Sequence, residues 1–348
     1  MSARAQLSVV IPVLDEATEL PRLLDELERQ ELALDVVVAD GGSQDASCRL
    51  AEVAGATVVR AQRGRAAQMN AGARQARAPR LLFLHADSHL SGNDFLRQAV
   101  EAFDAAEAQD VDVPVAGHFG LVFQRADAGS AALYRWMEAK SRCGRAGTIN
   151  GDQGLLLRPA FFRTLGGFDE SHPYFEDQRM ARRIFEGGRW VLLPGRLGTS
   201  ARRFESEGRI RRYAAMGLMV WMHDIGLADF FDRAQGLYRE QSRSRPLDLR
   251  PLLVLAHGHL VEALARDPTL AQRMSEGLRA QAWQPLFAVD VLLGWEPPRL
   301  LRWFDRTLSR RLARPDSDRW ARAAIAALLV GLRPWLGAAG SARPIKTQ

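Results

Sequence analysis

The chain has 348 residues, just under half apolar and a quarter charged, enough for a large core and more than one ordinary domain needs. Its formal charge of +6 rests almost wholly on arginine, with lysine only at Lys140 and Lys346, and the arginines are spread along the chain. Dispersed charge without a recognition signature argues against nucleic-acid binding, and no stretch approaches the roughly 18 apolar residues of a membrane span.

The N-terminal "LSVVIPVLDE" is too short for a signal-peptide core, is interrupted by Pro12 and runs into Asp15 and Glu16. Cys48 and Cys143 have neither metal-ligand spacing nor the pattern of a secreted disulfide framework, so a cytoplasmic protein is expected.

"LSVVIPV" (7–13) predicts a buried strand and "ATELPRLLDELERQ" an amphipathic helix. "LDVVVAD" (34–40) is a second strand, with "QDASCRLAEVAG" its helix and Gly55 the stop. "ATVVRA", "RAAQMNAGARQA" and "RLLFLHAD" give a third strand, a third helix and a fourth strand. Near-continuous Val/Ile/Leu runs separated by helices indicate α/β architecture, a mostly parallel sheet covered on both faces. Ligands in such folds sit at the carboxyl ends of the strands, and three strands here finish in acids: Asp15 and Glu16, Asp40, and Asp87.

From about residue 112 the pattern changes. "VPVAGHFGLVFQ" reads as a longer strand and "AALYRWMEAKSR" as a helix with Leu133, Trp136 and Met137 on its apolar face. "LLLR" is another short strand, "PAFFRTL" a helix ending at Gly166 and Gly167, "EDQRMARRIFEGG" a helix and "RWVLLPG" a last strand. After about residue 240 comes a polar, Pro-containing linker, "REQSRSRPLDLRP", and then an all-helical region holding Trp283, Trp295, Trp303, Trp320 and Trp335. Domains are therefore expected at 1–240 and 241–348.

Several groups could do chemistry. In "ADGGSQD" the glycines, Gly42 among them, permit a tight turn, and Asp40 is placed to accept hydrogen bonds from a base or ribose. The spacing is not that of a nicotinamide-dinucleotide site, and an ordinary turn with Ser43 or Asp45 capping the next helix accounts for it too. Arg63 and Arg65 at a helix start suit a phosphate, although solvated arginines are common there; Gln68 and Asn70 could face solvent. Asp87, with His85 two residues earlier, could hold a divalent cation bridging a diphosphate. Glu176 and Asp177 open a helix, either as charges complementing its dipole or as a general base for a hydroxyl. Charge and position add Arg202 and Arg203 as phosphate partners. The paired histidines of "HGH" (257–259) read as packing or surface residues rather than a metal site.

Taken together, "SVVIPVLDEA", "VVVADGGSQDAS", "FLHADSHL", "LGGFDE" and "FEDQRMARRI" resemble, in order and spacing over roughly 6–235, the family 2 glycosyltransferases of GT-A fold. "GRAAQMNAGA", "GDQGLLLR" and "SARRFESEG" look like the subgroup described as radical-SAM/selenodomain-associated transferases. The resemblance implies inverting transfer of a sugar from a nucleotide-diphosphate donor to a hydroxyl, with Mg²⁺ or Mn²⁺. Carried over by position, Asp40 contacts the base, Asp87 binds metal with His85 in place of the first acid, and Asp177 is the catalytic base beside Glu176. Pro12, Asp15, Glu16, Gly42, Asn70 and Ala86 fall in the segments lining the donor, and Asp152 and Gln153 of "NGDQG" could line the donor sugar or acceptor.

Gly41 stands where a second acid is usual, and the Gln-x-x-Arg-Trp element of processive polymer synthases is missing, which argues against a polysaccharide synthase. A nucleotidyltransferase would carry a glycine-rich basic signature where "PVLDEA" stands; an inactive binding protein is the other alternative. The Arg- and Trp-flanked apolar segment at 319–337 could lie at a membrane interface and present a lipid-linked acceptor, or be a packed helix.

Overall fold

The computed structural model describes residues 4–127, 129–172, 174–241 and 246–312, with isolated positions between 322 and 327. Apart from those positions the segment 319–337, with Trp320 and Trp335, lies outside the described residues, as do Pro173 and Lys346.

Seven strands form one sheet: β1 (Leu7–Val13), β2 (Leu34–Asp40), β3 (Thr57–Arg60), β4 (Leu81–Phe83), β5 (Val115–Gln124), β6 (Leu155–Leu157) and β7 (Arg189–Ser200). Their order is β3-β2-β1-β4-β6-β5-β7. All neighbours run parallel except β6, which is antiparallel to both β4 and β5. The sheet unit also carries helices α1 (Leu20–Glu28), α2 (Ser47–Val53), α3 (Arg65–Gln75), α4 (Phe95–Gln109), α5 (Ala132–Ser141), α6 (Pro159–Thr164) and α7 (Glu176–Gly187).

The period-2 alternation of a strand divides the core in two. Val9, Ile11 and Val13 of β1, Val38 of β2 and Leu82 of β4 pack with the leucines of α1 and the apolar stripe of α4. Val10, Val37, Leu81 and Phe83 face the other way, onto Ala66 and Met69 of α3, Phe161 and Phe162 of α6, and Met180 and Ile184 of α7. Both faces are buried, which is why these strands read as unbroken apolar runs. At Gly72 of α3 an added Cβ would lie 2.4 Å from Cγ1 of Val10, so helix and strand meet at a distance only glycine allows.

Some expectations shift in detail. β7 continues to Ser200, well past "RWVLLPG", because its pairing with β5 resumes after an irregularity at Phe119/Gly120. On α5 the wholly buried side chain is Tyr134, while Leu133, Trp136 and Met137 are half-buried.

The chain divides into two compact units, Met1–Ala201 and Arg202–Gln348. The second holds α8 (Arg202–Glu207), α9 (Arg209–Asp224), α10 (Asp229–Gln241), α11 (Arg250–Arg266), α12 (Leu270–Ala280), α13 (Gln284–Leu293) and α14 (Arg299–Trp303). The division falls earlier than composition suggested because 202–241 bonds to later helices. Leu247 N–H donates to the Glu207 carbonyl (3.0 Å), Arg273 Nε to the Ile225 carbonyl (2.8 Å), and His259 Nε2 pairs with Asp229 Oδ1 (3.0 Å). His259 is thus a buried packing residue. Asp290, fully buried on α13, accepts the N–H groups of Arg299, Leu300 and Leu301 at 2.8–3.0 Å and closes the open end of α14. Among the described residues no helix is long and apolar enough to cross a membrane.

Candidate active site

Val13 of β1 and Asp40 of β2 are register partners, so the two strands end level and their following loops lie side by side. Asp15 N–H donates to Ser43 Oγ (3.0 Å), Gln44 N–H to Asp15 Oδ1 (2.7 Å), Glu16 N–H to Ser47 Oγ (2.9 Å) and Ala17 N–H to Asp45 Oδ2 (3.0 Å). Asp15 adopts a left-handed backbone (φ 56°), which a short polar side chain tolerates. Asp45 also takes Ser47 N–H (2.9 Å), the capping role foreseen for it, while Ser43 holds the β1 loop instead.

Asp40 is 3% exposed. Its Oδ2 accepts Gly42 N–H (3.1 Å) and its Oδ1 accepts Ser43 N–H (3.0 Å). Burial alone would push this carboxyl up, but hydrogen bonds from the Ser43 hydroxyl and the Ser43 and Gly42 amides outweigh it and hold the group below its usual range. Pro12 is buried inside β1.

At the next strand, β4 proper ends at Phe83, although Leu84 N–H still donates to the Val10 carbonyl (3.1 Å). Residues 85–88 form a turn closed by Ser88 N–H on the His85 carbonyl (3.0 Å), so strand alternation does not govern how His85 and Asp87 point. His85 Nδ1 pairs with Asp152 Oδ1 at 2.9 Å. Asp87 is half-buried and accepts no hydrogen bond among the described residues; Ala86 between them is buried.

α7 brings Glu176 and Asp177 to the same place. The residue before it, Phe175, is left-handed (φ 61°), a strained conformation for a bulky side chain that turns the chain sharply into the helix. Asp177 Oδ2 accepts Gly151 N–H (2.8 Å) and Oδ1 accepts Gln178 N–H (2.8 Å). Gly151 lies between two of these groups. A Cβ there would sit 3.1 Å from the His85 ring and 3.4 Å from Asp177 Oδ2. His85, Glu176 and Asp177 border one small cavity whose remaining wall includes Met69, Phe83, Met180 and Trp190. Glu176 is 7% exposed; burial first, and then the charge of Asp177, push its carboxyl above the usual range against the pull of Arg65.

Arg65, at the first position of α3, faces Glu176, Asp152, Asp177 and Asp87, whose charges outweigh burial and raise its already high pKa. Its side chain is exposed to solvent.

Residues 8–162 match the family model described as "Glycosyl transferase family 2". That segment is a family 2 glycosyltransferase domain. Glu176 and Asp177 lie just beyond the matched residues, within the same compact unit.

No curated protein matches the chain. Solved structures that resemble it include Staphylococcus aureus TarS 1–349 in complex with UDP, at 17% identity over 82% of this chain and 88% of that one, TM-score 0.48. Another is the mannosyltransferase PcManGT from Pyrobaculum calidifontis in complex with GDP-Man and Mn²⁺, at 19% identity over 97% and 84%, TM-score 0.47. Against a longer S. aureus TarS chain, the match spans about half that chain's length, 53%. Likenesses this distant carry no substrate across.

Two residues expected to touch the donor are committed within the sheet unit instead. The Asn70 amide donates to the Phe168 carbonyl (2.8 Å) and Glu170 Oε1 (2.7 Å) and accepts Phe168 N–H (2.8 Å), pinning the loop before α7. Gln153 is fully buried, with Oε1 against His118 Nδ1 (3.0 Å) and Nε2 donating to the Thr148 carbonyl (2.6 Å). Nor is Gln68 solvent-facing: its Nε2 bridges the Val13 and Ala39 carbonyls (2.7 and 2.9 Å), tying β1 to β2 where the site begins.

Arg63 is exposed at the start of α3. Arg202 and Arg203 are exposed in the first turn of α8, in the second unit, with Arg203 Nε 3.6 Å from Glu207. Gln178 was not foreseen; its amide donates to the Ile149 carbonyl (3.1 Å) and Asn150 Oδ1 (2.5 Å), fastening the Gly151 loop to α7. Only its place directly after the acid pair hinted at that role.

Proposed function

We propose that the chain transfers a glycosyl group from a nucleotide-diphosphate sugar to a hydroxyl acceptor with inversion. The observation that carries this reading is the meeting, in a domain of this family, of Asp87, His85, Arg65 and the Glu176–Asp177 pair at the carboxyl end of the sheet on which Asp40 also stands.

Asp40, held ionised by Gly42 and Ser43, is the acceptor offered to the base or ribose. Arg65, with Arg63 beside it, offers guanidinium forks to the diphosphate at a helix N-terminus. Asp177 is oriented by Gly151 and Gln178 and takes the proton of the acceptor hydroxyl as its oxygen bonds to the anomeric carbon and the sugar–phosphate bond breaks. Glu176, biased toward its protonated form, limits like-charge repulsion beside that base.

Among the described residues no group of three or more His, Cys, Asp and Glu side chains is arranged to hold a metal. A diphosphate would complete a shell begun by Asp87, which accepts no hydrogen bond among the described residues, and by His85 Nε2, whose ring Asp152 orients through Nδ1. Mg²⁺ or Mn²⁺ suits that set, and what a bound cation supplies there is neutralisation of charge on the departing diphosphate.

The test is a donor-hydrolysis and transfer assay over UDP-, GDP- and dTDP-sugars with Mn²⁺ or EDTA. Turnover of one donor that Asp177→Asn abolishes while binding persists supports the reading. Turnover undiminished in Asp177→Asn sinks the assignment of the base, and no turnover with any donor and a panel of hydroxyl acceptors favours an inactive binding protein.

A further inference from the structure

A second groove, of roughly 910 Å³, opens in the sheet unit between α3 and α6, with Leu81 of β4 and Phe162 of α6 in its wall. Three guanidinium groups line it: Arg74 from α3, Arg163 from α6 and Arg183 from α7. Arg74 and Arg163 are exposed, and their guanidinium groups make no hydrogen bond or ion pair among the described residues. Elsewhere in this unit arginines pair readily, as Arg80 does with Asp104, Arg158 with Glu107 and Arg179 with Asp169.

Arg183 is held from behind: one terminal nitrogen donates to the Leu165 carbonyl and the other, Nη2, is enclosed by protein. Its charge thus borders the groove from a fixed position, with no carboxylate set against it among the described residues. The two acids at the rim do not serve. Asp169 is committed to Ser171 and Arg179, whose bonds lower its carboxyl to about 2, and Glu170 accepts the Asn70 amide.

We propose that this groove binds a phosphate ester bearing an apolar group, the phosphate held by Arg74, Arg163 and Arg183 and the apolar part against Leu81, Pro159 and Phe162. The site is separate from the donor cleft and does not depend on the transferase reading. Phe168 borders both this groove and the cavity beside Glu176 and Asp177, so a ligand here would also brace the loop that Asn70 and Arg183 already hold.

The probe is phenyl phosphate, titrated by calorimetry into the full chain, into the double variant Arg74→Ala/Arg163→Ala, and into Arg65→Ala as a control for the donor cleft. Neither groove substitution removes an internal bond, so the fold is retained. The double variant should weaken binding at least tenfold, with Arg65→Ala indistinguishable from the native chain. In parallel, vesicles of phosphatidic acid in phosphatidylcholine are co-sedimented with the same proteins. Phenyl phosphate binding lost in the double variant identifies a soluble ester; binding to vesicles alone, lost in the same variant, places the phosphate on a lipid. Equal binding by native and double variant, loss confined to Arg65→Ala, or no binding to either probe would overturn the proposal.

Discussion

Asp40 and Glu176 are both buried carboxyls, yet their environments drive them in opposite directions. Asp40 is surrounded by donors and stays ionised; Glu176 has a like charge beside it and an apolar wall, and leans toward its proton. The sign of the second matters for stability. A carboxyl whose folded pKa is raised weakens folding where the unfolded chain would ionise it freely, and that penalty fades as pH falls below its folded value. Glu176→Gln should therefore raise stability at pH 8 by about 0.5–2 kcal/mol, the size of gain seen when a destabilising active-site group is replaced, and that gain should shrink toward pH 4. Denaturant melts at the two pH values check it; equal gains at both would mean the carboxyl is not perturbed in the folded protein. Asp177→Asn should cost roughly 10²–10⁴ in kcat with KM for the donor little changed, the size expected for losing a general base. Asp169 behaves oppositely to Glu176: held down to about 2 by Ser171 and then Arg179, it contributes stability present above pH 4 and lost as pH falls toward 2. Melting curves of the native chain and Asp169→Asn should converge over that window.

At the scale of elements, the site depends on how closely α3 lies against β1 and β2. Gly72 permits the contact and Gln68 ties the strand ends together from the same helix. Gly72→Ala is expected to destabilise by about 1–3 kcal/mol through overpacking, since the atom met is a core methyl with no room to move. A thermal shift measurement decides it, and an unchanged midpoint would mean α3 can lift away freely. The apolar strands and the glycine-closed helices were legible in the sequence because burial on both faces leaves continuous hydrophobic runs. The acids at strand ends were legible because a core strand rarely stops on a carboxylate without cause. What could not be read was the fate of the amides. Asn70 meets Phe168, Gln68 meets Val13 and Gln178 meets Ile149, partners far apart in sequence and mostly backbone carbonyls, which leave no trace in residue type. The end of β7 was missed for a related reason: Arg196, Leu197 and Gly198 continue the strand only because β5 lies beside them.

At the scale of the molecule, the sheet unit contains the whole constellation from Asp40 to Asp177, and the helical unit has its own internal ties. Asp290 is the clearest of these, one buried carboxylate serving three amides at the start of α14. Asp290→Ala should lower the stability of the helical unit by about 1–3 kcal/mol by leaving those donors unmatched, and leave nucleotide binding by the sheet unit intact. Chemical denaturation followed through Trp283, buried in the helical unit, beside nucleotide titration of the same variant, separates the two effects. The measurement that tests the central claim most directly is calorimetric titration of UDP-, GDP- and dTDP-sugars into the full chain, with and without Mn²⁺, beside Asp87→Ala. Binding of one donor that needs the metal and is lost in Asp87→Ala is the predicted result. Binding indifferent to both the metal and Asp87 would contradict it, and would make the turn at His85–Ser88 only the place where a core strand surfaces.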